Sequence, residues 1–228
     1  MRYLFVTLLS IGFLLDICYA GEKLELKDLK DKESYSLGYQ FGEFLKKKGM
    51  EINLEIYTEA VRDGLSGKEP LMKPEEIRSA IQGIQQRTMT DQRSKFMELA
   101  AKNLSEGKAF LAENGGKEGV KTSASGLQYK ILKEGDGKKP TDSDTVVVNY
   151  RGTLINGTEF DSSKPGQPAT LEVYKVIPGW REALKLMPVG SKWQLFVPPE
   201  LAYGAWGAGR DIGPNATLIF EVELLAIK

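Results

Sequence analysis

Side chains that carry covalent chemistry are scarce in this sequence. It has no histidine, and its single cysteine, Cys18, lies near the start. Imidazole and thiolate catalysis therefore have almost nothing to work with. No glycine-rich loop ends in lysine to cradle a phosphate, and no carboxylates cluster at metal-ligand spacing. Gly204–Gly213 is rich in glycine but follows Tyr203 at no strand-to-helix boundary, so it does not read as a phosphate loop. The C-terminal half supplies aromatic side chains instead. Tyr150, Phe160, Trp180, Tyr203 and Phe220, with Val176, Ile177 and Ile212 among them, fall where side chains should point inward or end a strand. Taken singly, each is an ordinary core residue, and Asp161-Ser162-Ser163 after Phe160 is an ordinary turn. Whatever this region does, it does without imidazole or thiolate.

The elements that must position these residues change character along the chain. Helical stripes come first. A helix over about 32–48 puts Leu37, Phe41, Phe44 and Leu45 on one face, with Gly38 and Gly42 four apart beside it. Glycine costs about 1 kcal/mol inside a helix, so the pair predicts a close helix–helix approach. A second helix over 53–65 is capped by Asn53, buries Tyr57, Ala60, Val61 and Leu65, and ends among Gly64 and Gly67. Two such helices make a poor core alone, and a partner chain would complete it. Pro74-Glu75-Glu76 then opens a helical pattern that runs to Gly115-Gly116. Between Gln85 and Lys95 only Met89 is apolar. That texture fits a solvent-bridged connecting helix, or two helices broken near Thr88–Asp91.

After Gly116 the period falls to two. Strands are predicted over Leu127–Leu132, Thr145–Thr153, Ser191–Val197 and Thr217–Ile227. The second puts Val146, Val148 and Tyr150 on one face, and the last does the same for Leu218, Phe220, Val222 and Leu224. Between them Gly179–Met187 repeats Trp180, Ala183, Leu184 and Met187 at helical spacing. The whole is an α+β chain: an all-α region, a long connecting helix, and an antiparallel sheet wrapped around a short helix.

The 228 residues carry 31 basic and 31 acidic side chains, without the basic footprint that nucleic acid selects. Residues 1–20 read as a signal peptide, with Arg2 first, an apolar run Leu4–Leu15, and Cys18-Tyr19-Ala20 before the cleavage point. Lipidation at Cys18 stays open as a second reading, with the bulky Ile17 against it. An exported chain results, periplasmic in the first case and attached to an outer membrane in the second. Cleavage after Ala20 would leave no cysteine and no disulfide.

Five stretches of residues 120–228, in order and spacing, resemble the FKBP-type peptidyl-prolyl isomerase domain. They are Val148-Asn149-Tyr150-Arg151-Gly152, Phe160-Asp161-Ser162-Ser163, Val176-Ile177-Pro178-Gly179-Trp180, Leu201-Ala202-Tyr203-Gly204 and the run from Ile212 to Leu224. Residues 30–118, through Tyr35-Ser36-Leu37-Gly38-Tyr39 and Gly42, are similar to the helical dimerisation region of the macrophage infectivity potentiator group. After the signal peptide 1–20, the resemblance implies a helical dimerisation domain 21–73, a connecting helix 74–116 and an isomerase domain 120–228. It implies a pocket of Tyr150, Phe160, Trp180 and Phe220 with Val176, Ile177 and Ile212, floored by Trp180. Asp161 and Tyr203 would supply polar contacts, and the Ile177 amide would donate to the ligand carbonyl. Ala169, with Leu171 two residues on, stands where many members carry an aromatic rim residue, and Trp206 follows Tyr203 in a loop without histidine. No metal or cofactor is implied. The partners implied are proline-containing unfolded exported proteins, a second copy through residues 21–118, and macrolides such as rapamycin. A holdase chaperone or a surface interaction factor is the alternative reading.

Overall fold

The computed structural model describes residues 25–228, so the expected signal peptide and Cys18 lie outside the described residues. The chain divides into two compact units, one ending at Lys73 and the other running Pro74–Lys228.

The first unit holds α1 (Leu29–Lys47) and α2 (Leu54–Ser66). Asp28 caps α1 by accepting from the Asp31 amide at 2.8 Å, and Lys46 and Lys47 sit in the last turn, where the helix dipole favours cations. Asn53 caps α2 by accepting from the Glu55 and Ile56 amides, and Gly67 ends it in the left-handed region at φ 71°. The two helices touch through Phe41 stacked on Tyr57, centroids 5.4 Å apart. That contact leaves most of both stripes uncovered. Leu45 is the one buried apolar side chain among the described residues of this unit, while Leu37, Phe44, Val61 and Leu65 are exposed. The expected burial of Tyr57, Ala60, Val61 and Leu65 does not occur within one chain, because helices of 19 and 13 residues have too little facing surface. Nor does any of the described residues approach Gly38 or Gly42, where an added Cβ would meet nothing within 4 Å.

The second unit opens with α3 (Pro74–Asn114), one uninterrupted helix of 41 residues, about 60 Å long. No break occurs at Thr88–Asp91. Thr88 and Thr90 turn their hydroxyls onto the Ile84 and Gln86 carbonyls, each at 2.9 Å, so they stay within the helix instead of competing with it. The strands β1 (Val120–Thr122), β2 (Gln128–Lys133), β3 (Thr145–Leu154), β4 (Glu159–Ser162), β5 (Ala169–Glu172), β6 (Lys192–Val197) and β7 (Leu218–Ile227) form one antiparallel sheet. Its order is β1-β2-β6-β7-β3-β4, and β5 also pairs with β3. β4 takes the C-terminal half of β3 and β5 the N-terminal half, while β7 lies along its other edge. The short strands β1, β4 and β5 lack enough alternation to show in the sequence. The helix α4 (Pro178–Leu186) fills the concave side, where Trp180, Ala183, Leu184 and Met187 pack with Val146, Val148, Leu195, Leu218, Val222 and Leu224.

The C-terminal half of α3 is fastened to this sheet, which the connecting-helix expectation did not foresee. Asn114 Nδ2 donates to Gln128 Oε1 at 2.9 Å, and Gln128 Nε2 donates to the Leu111 carbonyl at 2.8 Å. Phe110 packs against Phe196, and a Cβ on Gly107 would stand 2.3 Å from Thr217 Oγ1, so glycine is what lets the helix seat there. Both Asn114 and Gln128 are buried, and Asn114 supplies the donor to Gln128 Oε1. Asn114→Ala is expected to lower stability by about 1–3 kcal/mol, because Gln128 is left buried and short of a partner. Denaturation followed by tryptophan fluorescence reads this directly, since all three tryptophans lie in this unit.

Candidate active site

The aromatic residues singled out in the sequence converge where α4 begins. Pro178 occupies the first turn, where its fixed φ suits the helix and its missing N–H costs nothing. The Ile177 carbonyl accepts from Arg181 N at 3.0 Å, while among the described residues no backbone group accepts from the Ile177 N–H. Gly179 lets the helix approach β6, since a Cβ there would stand 2.6 Å from Val197 Cγ1. Trp180 is consequently pressed into the sheet and only 4 % exposed.

Three edge-to-face contacts run through the cluster, two of them to Trp180. Tyr150 meets Trp180 at 5.4 Å and 85°, Trp180 meets Phe220 at 5.2 Å and 85°, and Phe160 meets Phe220 at 5.6 Å and 88°. Each ring edge points at a neighbour's electron-rich face, worth about 0.5–1.5 kcal/mol beyond burial. Gly152 makes the arrangement sterically feasible. A Cβ there would stand 2.8 Å from both the Phe160 and Phe220 rings. Trp180 Nε1 is buried with no hydrogen-bond partner, so the floor of the cluster carries one unused donor.

A polar rim lies above this floor. Tyr150 donates its hydroxyl to Asp161 Oδ2 at 2.7 Å. Burial first, and then that hydrogen bond, push the Tyr150 hydroxyl up to about 12. Burial also raises Tyr203, with the Asp161 charge adding to it. Ser163 holds Tyr150 from behind: the Tyr150 N–H donates to Ser163 Oγ at 3.0 Å, and Ser163 N donates to the Tyr150 carbonyl at 3.0 Å. Arg181 and Lys185 of α4 bind Asp142 at 2.7 and 3.2 Å, tying the helix to the loop before β3.

Tyr150, Trp180, Phe220 and Phe160 are thus linked by successive ring contacts, Asp161 joins through Tyr150, and the Asp161 charge acts on Tyr203. Val176, Ile177 and Ile212 pack on the same apolar cluster. Ala169 and Leu171 lie on β5 opposite Val148 and Val146, which places Leu171 further along the strand than Ala169. Phe160-Asp161 is strand, not turn, because β3 pairs Gly152 with Asp161. Sequence reasoning assigned no role to Gly152 or Ser163. A glycine inside a strand was the available signal for a close approach. A separate groove of about 290 Å³, lined by Leu99, Asn103, Arg210 and Thr217 among others, contains none of these residues. The ring contacts and the Tyr150–Asp161 hydrogen bond make the aromatic cluster the stronger candidate.

Comparison with known proteins agrees with this geometry. The profile described as FKBP-type peptidyl-prolyl cis-trans isomerase matches residues 136–225, and the domain amino-terminal to such isomerases matches residues 30–131. "Outer membrane protein MIP" of Legionella longbeachae is 43% identical over 100% of this chain and 99% of its own length. The chain belongs to the FKBP-type peptidyl-prolyl cis-trans isomerases. This isomerase is also 44% identical to "Peptidyl-prolyl cis-trans isomerase Mip" of Coxiella burnetii, over 100% of the chain and 99% of the relative. Among solved structures, FkpA from Escherichia coli aligns with a TM-score of 0.72 at 39% identity, covering 90% of the isomerase and 99% of that chain. The α+β architecture is the one the sequence predicted.

The cluster of this isomerase contains no histidine or cysteine, and burial holds the Tyr150 and Tyr203 hydroxyls above their usual range. Isomerisation of a proline peptide is expected to change less than about twofold between pH 6 and 8, and a chelator is expected to leave it unaltered. A folded-state value raised above the usual ~10 means that Tyr150 favours the fold fully below pH ~10. That contribution is lost as the pH climbs through about 12. A bell-shaped rate profile centred near pH 7 would contradict the arrangement.

Proposed function

We propose that the cluster of Tyr150, Phe160, Trp180 and Phe220 holds the proline ring of an X–Pro bond, and that the isomerase works as a homodimer on exported polypeptides. The observation that carries the site is the set of three near-perpendicular ring contacts centred on Trp180 and Phe220, beneath the Tyr150–Asp161 hydrogen bond.

Rotation about a peptide bond faces a barrier of roughly 18–20 kcal/mol because conjugation between nitrogen and carbonyl must be lost. X–Pro bonds populate both isomers and exchange slowly enough to limit folding. No bond is made or broken, so the cluster needs neither nucleophile nor general base. The twisted transition state has lost amide conjugation and its charge separation, so an apolar floor stabilises it relative to the planar ground state. The Ile177 N–H and the Tyr203 hydroxyl would hold the preceding carbonyl near Asp161, as fixed dipoles in a low-dielectric site. Val176 and Ile212 would close the walls, with Ala169 and Leu171 at the rim. About 5 kcal/mol off the barrier accounts for three to four decades of rate. A macrolide such as rapamycin would occupy the same floor, with Ala169 offering less rim than an aromatic residue.

Asp161→Ala and Tyr203→Phe are expected to lower kcat/KM on a short proline peptide about tenfold or more while leaving the denaturation midpoint nearly unchanged. Trp180→Ala should lower both. A protease-coupled peptide assay beside a denaturant titration separates the two effects, and full turnover in folded Asp161→Ala and Tyr203→Phe would refute the assignment.

The dimer rests on the first unit, where Leu37 is 71% exposed, Phe44 48% and Leu65 86%. Open space over Gly38 and Gly42 would admit a partner helix at close range. Residues 21–73 would serve as the dimerisation domain, 74–116 as the connecting helix, and 120–228 as the isomerase domain. A leader at 1–20 and the name of the Legionella longbeachae relative support a periplasmic or outer-membrane location. The same exposed apolar faces favour a holdase as the second reading, with isomerisation incidental. Light scattering should give the mass of two chains for residues 21–228 and of one chain for residues 74–228. A single-chain mass for the longer protein would leave those faces to unfolded clients.

A further inference from the structure

Trp206 is a residue that neither the core nor the prolyl site uses. Of the three tryptophans, Trp180 and Trp193 are 4% and 3% exposed, whereas Trp206 is 83% exposed. It closes the 3-10 turn Gly204–Trp206 directly after Tyr203. At a rise of about 2 Å per residue, its Cα stands about 6 Å from that of Tyr203.

The loop carrying this indole is firmly held. Asn215 N donates to the Gly204 carbonyl at 2.9 Å, and Ala208 and Ile212 exchange both backbone hydrogen bonds, at 2.9 and 3.2 Å. Gly207, at φ 69°, passes so close to Ile212 that a Cβ would stand 2.1 Å from its carbonyl oxygen. α3 braces the loop from the other side. Asn103 Nδ2 donates to the Pro214 carbonyl at 2.8 Å, and Asn215 Nδ2 donates to the Ala100 carbonyl at 3.3 Å. Phe96 of α3 lies against the indole with ring centroids 6.0 Å apart, and Leu99 one turn on reaches Gly213. A rigid indole backed by a second ring and left in water is a poor use of apolar surface unless something covers it.

We propose that Trp206, backed by Phe96, is a docking platform for an apolar side chain of the polypeptide client, a few residues from the proline. The proposal rests on the prolyl-site reading above. An X–Pro bond held over Trp180 belongs to a chain that must continue outward at about 3.3 Å per residue. Tyr203 and Ile212, both assigned to that site, bound the loop that carries Trp206. A residue two to four positions from the proline therefore passes the platform. The indole face and the Phe96 ring offer dispersion and aromatic contact without a formal charge, so they select aromatic and large aliphatic side chains. Unfolded clients expose such side chains and folded ones bury them.

Peptides carrying Phe or Ser two to four residues before or after the proline test this on the protein from residue 21 onward. Wild type is expected to isomerise one Phe series about tenfold better in kcat/KM than the matching Ser peptides, mostly through KM. Trp206→Ala should erase that preference while moving the Ser peptides less than twofold, and Trp206→Phe should restore most of it. Iodide quenching gives an independent reading, because Trp206 is the exposed tryptophan. The Phe peptide should shield it, and the Ser peptide should not. Equal handling of Phe and Ser peptides by wild type, with no shielding, overturns the proposal. So does shielding that grows with protein concentration alone, which assigns the platform to a second copy. If wild type turns over neither peptide, the prolyl-site reading fails, and the quenching still decides whether the platform binds.

Discussion

Burial of Trp180 at the first turn of α4 is the constraint around which the second unit is arranged. An indole on a nine-residue helix can be shielded only by a sheet that curves around that helix. The curve is achieved by giving β3 three partners and by register shifts within its pairings with β4 and β7. Two glycines remove the side chains that would prevent closure: Gly179 where helix meets β6, and Gly152 where the Phe160 and Phe220 rings cross β3. The same packing that completes the core also leaves a ring-lined floor at its edge. Trp180 is therefore shared by the core and the proposed site.

The polar rim works in the opposite sense. Asp161 is exposed and the Tyr150 hydroxyl reaches out to it, so the carboxylate keeps its hydration while an apolar surface starts directly below. Fixed dipoles beside a dry floor suit a reaction whose transition state differs from its ground state in charge distribution and not in bonding. The chain has no histidine, so no imidazole is available to such a site.

The two units treat apolar surface differently. In the second, α3 is clamped by paired buried amides and by the close seat of Gly107 on Thr217, and Ala100, Gly107 and Asn114 of its C-terminal half are buried. In the first, capping and aromatic stacking form good helices that still present Leu37, Phe44 and Leu65 to water. Local propensity and capping are sufficient to start and stop a helix. They cannot supply the second surface that its apolar face requires.

Helix limits, strand faces and the identity of the aromatic set were legible in the residues themselves, because capping signals and hydrophobic periods are local. Asn53 and Gly67 bound α2, and the alternation through Leu218, Phe220, Val222 and Leu224 gives the buried face of β7. Short strands such as β4 were not legible, since four residues carry too little period and Phe160-Asp161 reads equally well as a turn. Three features waited for the tertiary structure: the docking of α3, the steric role of Gly152, and the exposure of Trp206 on a braced loop. Each depends on atoms brought together from distant positions, Asn114 with Gln128, Gly152 with Phe220, and Trp206 with Phe96. The space a side chain meets there is set by a neighbour that no local pattern names.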